Sequence, residues 1–280
     1  MRRIDTISKM QTYSRNTQGK GKSIGFVPTM GYLHKGHLSL IKKAKEEADV
    51  VVVSIFLNPK QFGPNEDLAN YPKDLEKDLK LCRSAGADIV FVPSEEEIYP
   101  AGFSTEISEN RLSEGLCGIS RPVHFKGVLT ILAKLFHIVL PTVTVFGQKD
   151  AQQVAVVRKM VTDLSFPVEI IEAPTVREKD GLAMSSRNRY LSKTQREDAC
   201  IIQEALKAAK KMVDSGTLSI DRVVAETTHI ISSKRRMRII YISMVDRVTL
   251  EPVKVIEPGK CLLAAAVWVD EIRLIDNIIL

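Results

Sequence analysis

The sequence predicts an α/β fold: a doubly wound parallel sheet followed by a smaller C-terminal α+β domain. Three observations point there. Short apolar runs in the first part lack polar alternation, as in strands buried on both faces. Helical patterns lie between them, and strand–helix–strand alternation builds parallel sheets. After Val176 the pattern changes to a polar loop, then helices, then adjacent strands.

The predicted strands of the first part are Ser23–Thr29, Asp49–Leu57, Ala87–Pro93, Pro141–Gly147 and Val168–Pro174. Each is rich in β-branched residues and ends near Gly or Pro. The predicted helices are His37–Ala48, Asp74–Gly86, Gly127–Val139 and Asp150–Leu164. Glu178–Ser192 reads as a polar loop. Helices over Lys193–Ser215 and roughly Ser219–Ser233 follow, then strands over Arg238–Arg247, Cys261–Val269 and Ile272–Leu280. The expected division is 1–176 and 177–280, with no internal repeat.

The 280 residues suffice for one large domain or two ordinary ones. Hydrophobic residues make up 44% and charged residues 26%, the balance of an ordinary globular protein. No apolar run approaches the ~20 residues that cross a bilayer. The N-terminus carries charge but no apolar stretch behind it, so a secretory leader is not expected. Four scattered cysteines without Cys-x-x-Cys fit a reducing cytoplasm. A net charge of +6 suits anionic substrates and does not by itself argue for nucleic acid.

In a parallel sheet ligands bind beyond the carboxyl ends of the strands, so chemistry should cluster there. The first cluster is PTMGYLHKGH, Pro28–His37. It places two imidazoles and two glycines where a strand turns into a helix. A helix N-terminus offers unpaired N–H groups and partial positive charge to an anion, and imidazoles add donors. The competing readings are surface histidines in a turn, or a zinc pair, for which the remaining His and Cys offer no spaced partners.

FGQKDAQQ, Phe146–Gln153, follows the fourth predicted strand. Lys149 suits a phosphate, whereas a plain capped helix start would use Asp150. GLAMSSRNRY, Gly181–Tyr190, carries consecutive donors at Ser185, Ser186 and Arg187. It is an interdomain linker or a mobile lid. Asn58 and Gln61 follow the second strand, where neutral amides can orient hydroxyls and carboxylates. RPVHFKGV, Arg121–Val128, offers either a further anion site or the N-terminal cap of the next helix, and the cap is the preferred reading. The basic run Ser232–Arg238 lacks interleaved aromatics and reads as a solvated helix end.

Taken together, PTMGYLHKGH, NPKQFGPNEDLANYP, GFSTEIS, HFKGV, FGQKDAQQ and GLAMSSRN stand in the order seen in the pantothenate synthetase (pantoate–β-alanine ligase) family. The chain resembles that family from about Thr6 to near its C-terminus. The wider group is the His-x-x-His nucleotidyltransferases, kin to class I aminoacyl-tRNA synthetases. The sequence departs from the family pattern at Val123, Gln148 and Ala151.

The resemblance implies a Rossmann-like domain of nucleotidyltransferase type that binds ATP and pantoate, and a C-terminal domain opening on the lid. It implies ATP-dependent joining of (R)-pantoate to β-alanine through a pantoyl-adenylate, releasing AMP and pyrophosphate. It implies catalytic roles for His34, His37 and Lys149. The implied ATP contacts are Met30, Gly31, Tyr32, Leu33, His34, Lys35, Gly36 and His37, then Gly147, Gln148, Lys149 and Asp150. Val176, Met184, Ser185, Ser186 and Arg187 complete them. Gln61 and Gln153 would hold pantoate, and Gln61 would also meet β-alanine. Magnesium is expected with ATP, its protein ligands unassigned. A cytoplasmic homodimer is implied, with small-molecule substrates and no nucleic-acid or membrane partner. The rival readings are a nucleotidyltransferase of the same fold that forms no amide, an RNA-binding protein, and a nucleotide sensor.

Overall fold

The structure, a computed structural model, describes residues 1–64 and 66–280; Asn65, within the NPKQFGPNEDLANYP motif, lies outside the described residues. The chain divides into two compact units. The first comprises Met1–Asn110, Arg121–Gly147 and Val156–Pro174; the second comprises Arg111–Ser120, Gln148–Ala155 and Thr175–Leu280.

The first unit holds a six-stranded sheet of β1 (Arg2–Ile4), β2 (Ile24–Thr29), β3 (Val50–Ile55), β4 (Ile89–Phe91), β5 (Val143–Gly147) and β6 (Glu169–Ala173). The order is β1-β4-β3-β2-β5-β6, and every pairing is parallel. Its helices are α1 (Ile7–Gln18), α2 (Lys35–Glu47), α3 (Leu75–Ala85), α4 (Glu95–Ile98) and, beyond the short α5 (Cys117–Ser120) of the second unit, α6 (His124–Val139). Helix α7 (Ala151–Asp163) starts in the second unit and ends in the first. Strands β2 and β3 are buried on both faces, with Val27, Val51 and Val53 fully enclosed beside Ile41 and Ala44 of α2. At Gly25 an added Cβ would come 2.9 Å from the Ala44 carbonyl oxygen, so the absent side chain lets α2 lie close on β2. From β2 the chain order runs outward through β3 and β4 on one side and β5 and β6 on the other. The switch point therefore falls between β2 and β5, where such sheets bind ligands.

The second unit packs α8 (Lys193–Ala199), α9 (Ile201–Asp214) and α10 (Ile220–Ser232) with an antiparallel sheet of β7 (Met237–Asp246), β8 (Cys261–Val269) and β9 (Ile272–Ile279). Leu206, Val223, Ile231, Leu263 and Val267 form the centre of its core, each fully buried.

Four expectations change. Strand β1 and helix α1 were not expected. The single helix over Lys193–Ser215 is two, meeting at Cys200, which ends α8 and precedes α9 and whose thiol donates back to the Arg196 carbonyl at 3.3 Å. The loop at Glu178–Ser192 contains a bridge between Arg177 and Ala183 and a 3₁₀ turn at Ser186–Tyr190. Among the described residues no side chain caps α6: Val123 stands at its N-cap, and Arg121 bonds elsewhere. All four cysteines are free thiols, and burial pushes Cys82 up to about 12. No helix among the described residues is long and apolar enough to cross a membrane.

Candidate active site

Helix α2 begins at Lys35, two residues earlier than the pattern predicts, so His34 is its N-cap. His34 Nδ1 accepts the Gly36 N–H at 3.1 Å, and His37 Nδ1 accepts the His34 N–H at 3.3 Å. The two rings lie 4.1 Å apart between centroids. With Nδ1 occupied as an acceptor in both, each neutral imidazole carries its proton on Nε2. The pair thus adds two N–H donors at a helix N-terminus beyond the end of β2.

The turn leading into this cap is held from below. Asp78 of α3 is only 1% exposed, and its two oxygens accept the Tyr32 and Leu33 N–H groups at 2.7 Å each. Tyr32 has φ 51° and Gly31 φ 85°, so the chain reverses sharply before the helix. Burial pushes the Asp78 carboxyl above its ordinary value, while the Leu33 and Tyr32 N–H groups pull the other way.

Gln61 sits in the same unit, at the end of the 3₁₀ turn Pro59–Gln61. It is 7% exposed, and its Nε2 points to the Met30 sulfur at 3.0 Å. Its Oε1 accepts from Asn58 Nδ2 at 3.0 Å. Gly127 of α6 lies against this turn; a Cβ there would come 2.6 Å from the Gln61 Cα. Arg121 pairs with Glu66 and donates to the Gln61 carbonyl at 3.3 Å. The His124 ring nitrogen meets the same carbonyl at 3.0 Å. RPVHF thus braces the Gln61 turn instead of capping α6. Gly147 closes β5, on the other side of the switch point from the imidazoles.

In the second unit, Gln148, Lys149 and Asp150 form a 3₁₀ turn before α7. Asn277 of β9 ties it down by donating to the Gln148 and Lys149 carbonyls at 2.9 Å each. The Lys149 side chain, 18% exposed, lies 3.5 Å from the Asp150 carboxylate. The neighbouring glutamines divide sharply. Gln152 is buried and bonded to Leu112, Gly115 and Cys117. The Gln153 side chain makes no hydrogen bond among the described residues and keeps its amide available. Ala151, one of the departures from the family pattern, packs against Leu116, Val245, Leu262 and Ala264.

Val176 accepts the Met184 N–H at 3.0 Å, and the adjoining Arg177 pairs with buried Asp276 at 2.6 Å. Leu182, Ala183, Ser186 and Asn188 are buried, so this segment is more firmly tied than its polarity predicts. Ser185 accepts the Arg187 N–H at 3.2 Å. Arg196 holds Glu178 and Asp180 at 2.7 Å each. Burial pushes both carboxyls up, but the Arg196 guanidinium, together with the Asn188 amide at Glu178 and the Leu182 N–H at Asp180, outweighs it and holds both below their ordinary values. Both this segment and the Gln148–Asp150 turn pack on β9.

Residues 2–279 match the family model described as Pantoate-beta-alanine ligase. The chain belongs to this family. It is 51% identical over 280 residues to a pantothenate synthetase of Fervidobacterium nodosum, covering 100% of this chain and 99% of that protein. Its fold is similar to the crystal structure of pantothenate synthetase from Thermus thermophilus, with TM-score 0.94, 42% identity and 99% of each chain covered. It is also similar to the pantoate-beta-alanine ligase from Francisella tularensis complexed with beta-gamma ATP and beta-alanine. There the TM-score is 0.81 and the identity 37%, covering 100% of this chain and 97% of that one.

Sequence reasoning singled out Gln61, the histidines and Lys149 but missed the residues that tie down the histidine turn and the Gln148–Asp150 turn. Asp78, at the first, and Asn277, at the second, carry no motif of their own. A buried acid reads as one more charge on the polar helix α3, and Asn277 as a strand residue. Arg177 and Asp276 are 99 residues apart, and no local pattern links them.

Proposed function

We propose that the chain condenses (R)-pantoate with β-alanine at the expense of ATP, giving pantothenate, AMP and pyrophosphate. A carboxylate does not acylate an amine until one oxygen becomes a good leaving group. The pantoate carboxylate oxygen therefore attacks the α-phosphorus of ATP, and the P–O bond to pyrophosphate breaks. The resulting mixed anhydride is attacked at its carbonyl carbon by the β-alanine amine. AMP departs with the electron pair of the C–O bond, and the amine loses a proton.

The observation that carries this reading is the His34–His37 pair at the N-cap of α2, with each Nδ1 taken by a backbone N–H. Two fixed Nε2–H donors and the helix N-terminus suit the charge that builds on the phosphates during displacement. In this reading Met30–His37 and Gly147–Asp150 cradle ATP. Lys149 adds a point charge, and Ser185, Ser186 and Arg187 close on the phosphates, with Val176 and Met184 beside the adenine. Gln61 and Gln153 hold pantoate, and Gln61 also meets β-alanine. Among the described residues no three His, Cys, Asp or Glu side chains gather in a metal-binding group. Magnesium is taken to arrive with the nucleotide, as part of the substrate.

The same reading makes residues 1–176 the nucleotide and pantoate domain and 177–280 a domain that opens on a lid. It describes a cytoplasmic homodimer working on small molecules, without nucleic acid or membrane; light scattering checks the assembly. Pyrophosphate exchange into ATP tests the chemistry. Exchange is expected only when pantoate is present. Exchange without pantoate, or none with it, refutes the adenylate route.

A further inference from the structure

We propose that Tyr99 is a positioning residue for the acid substrate: through Asn58, its hydroxyl fixes the Gln61 amide so that the pocket offers N–H and not C=O. The inference rests on the reading that Gln61 holds pantoate.

The two ends of a carboxamide are almost identical in shape, so neighbours decide which way each amide points. Here the decision starts at a backbone carbonyl. Gly127 O can only accept, and it lies 3.0 Å from the Asn58 amide, so the atom facing it is Nδ2. The second Nδ2 proton goes to Gln61 at 3.0 Å, and the atom receiving it is Oε1. Gln61 must then turn Nε2 the other way, toward Met30, whose sulfur is a weak acceptor at 3.0 Å. A substrate carboxylate or hydroxyl oxygen is a better acceptor and can take that N–H in its place.

The remaining end of Asn58 is Oδ1. It accepts the Tyr99 hydroxyl at 2.7 Å. Asn58 is 1% exposed, so without that donor Oδ1 is buried and unpaired. Flipping the amide gives no relief, because Oδ1 would then face the Gly127 oxygen. Tyr99 is itself well placed as an anchor. Its ring packs against Phe56 and Phe103, with centroids 6.0 and 5.0 Å away. Burial raises its phenol, so the hydroxyl keeps its proton and remains a donor at neutral pH.

Tyr99→Phe removes one oxygen and keeps the ring. The pantoate KM is expected to rise roughly fivefold to tenfold, the scale of one net hydrogen bond, with the ATP KM within about twofold. In a Gln61→Ala background the same substitution is expected to leave the pantoate KM within about twofold. Equal effects in the two backgrounds overturn the proposal, since Tyr99 would then act independently of Gln61. A parallel rise in the ATP KM also overturns it, because the role would be general packing. Exchange of the Asn58 and Gln61 side-chain amide protons, followed by NMR without substrate, separates the two readings. It is expected to speed up several-fold in Tyr99→Phe; unchanged exchange overturns the proposal whatever Gln61→Ala does. Faster exchange with an unchanged pantoate KM in Gln61→Ala overturns the assignment of the acid to Gln61, and the substrate half of the proposal with it.

Discussion

Replacing Asp78 tests how the Gly31–His34 turn is held. Tyr32 sits at φ 51°, a region that costs a side-chain-bearing residue ~1–2 kcal/mol. The two 2.7 Å bonds from Tyr32 and Leu33 to the Asp78 oxygens hold it there. Asp78→Asn keeps the shape but exchanges one acceptor for an NH₂ group. One N–H then faces a donor and is left unsatisfied. Burial outweighs the donors at this carboxyl, so the full value of a charge-assisted bond does not apply. One unsatisfied buried N–H sets the scale instead, about 1–3 kcal/mol, and Asp78→Ala, which loses both acceptors, about twice that. Urea unfolding reads this directly.

The kinetic consequence follows from position. A relaxed Tyr32 moves the N-cap that carries His34. If the Gly31–His34 turn holds ATP as proposed and half of the lost energy falls on it, the ATP KM rises about twofold to tenfold, at ~1.4 kcal/mol per decade. The pantoate KM serves as the internal control. An Asp78→Asn protein within about 0.5 kcal/mol of the parent, with its ATP KM unchanged, would refute the anchoring argument.

Other expectations follow from the same geometry. His37→Ala is expected to lower single-turnover adenylate formation by ~10²-fold or more, the scale of a lost transition-state donor; near-normal adenylation removes His37 from the chemistry. Gln153→Ala is expected to raise the pantoate KM far more than the ATP KM, because its amide has no partner to lose among the described residues; equal effects in steady-state kinetics argue for a structural role. Glu178 and Asp180 are held below their ordinary values in the fold, so their pairing with Arg196 stabilises above about pH 4 and is lost as pH falls through the lowered values. The melting temperature is therefore expected to fall between about pH 5 and 3, and less steeply in Arg196→Gln; identical slopes count against the pairing. Amide exchange at Met184–Arg187 is expected to slow when ATP is added, and unchanged exchange means a fixed linker.

The sheet was readable because its central strands are buried on both faces. Val50–Val53 is an unbroken run of four buried valines, β-branched throughout and so suited to a central strand. Strand β1 was not readable: it has three residues, and Arg2 and Arg3 are exposed. Helix α1 was hidden for a different reason. Its buried face is Met10, Ser14 and Thr17, so the 3.6-residue period is present in the burial but not in the hydropathy. The positions of the histidines and of Lys149 next to strand ends were legible because strand ends and helix starts are local signals. Their supports were not, because each comes from a distant stretch: Asp78 lies 46 residues from Tyr32, and Asn277 lies 129 from Gln148.

That separation has a physical basis. Groups proposed to face a ligand must keep some hydrogen-bonding capacity unspent, as the Gln153 amide and the Gln61 N–H do. A group with capacity unspent is held poorly by its own bonds, so its backbone has to be fixed by others. In this chain the fixing groups are side chains that accept or donate to backbone: Asp78 beneath Tyr32 and Leu33, Arg121 and His124 at the Gln61 carbonyl, Asn277 at Gln148 and Lys149. Backbone carries no residue identity, so such contacts leave no motif at the supported end. At the supporting end they leave a single polar residue in an otherwise ordinary helix or strand. A buried acid, amide or guanidinium bonded to the backbone of a turn is therefore the feature to seek when a site is rebuilt from sequence. Its removal is expected to act on the affinity for whatever that turn holds.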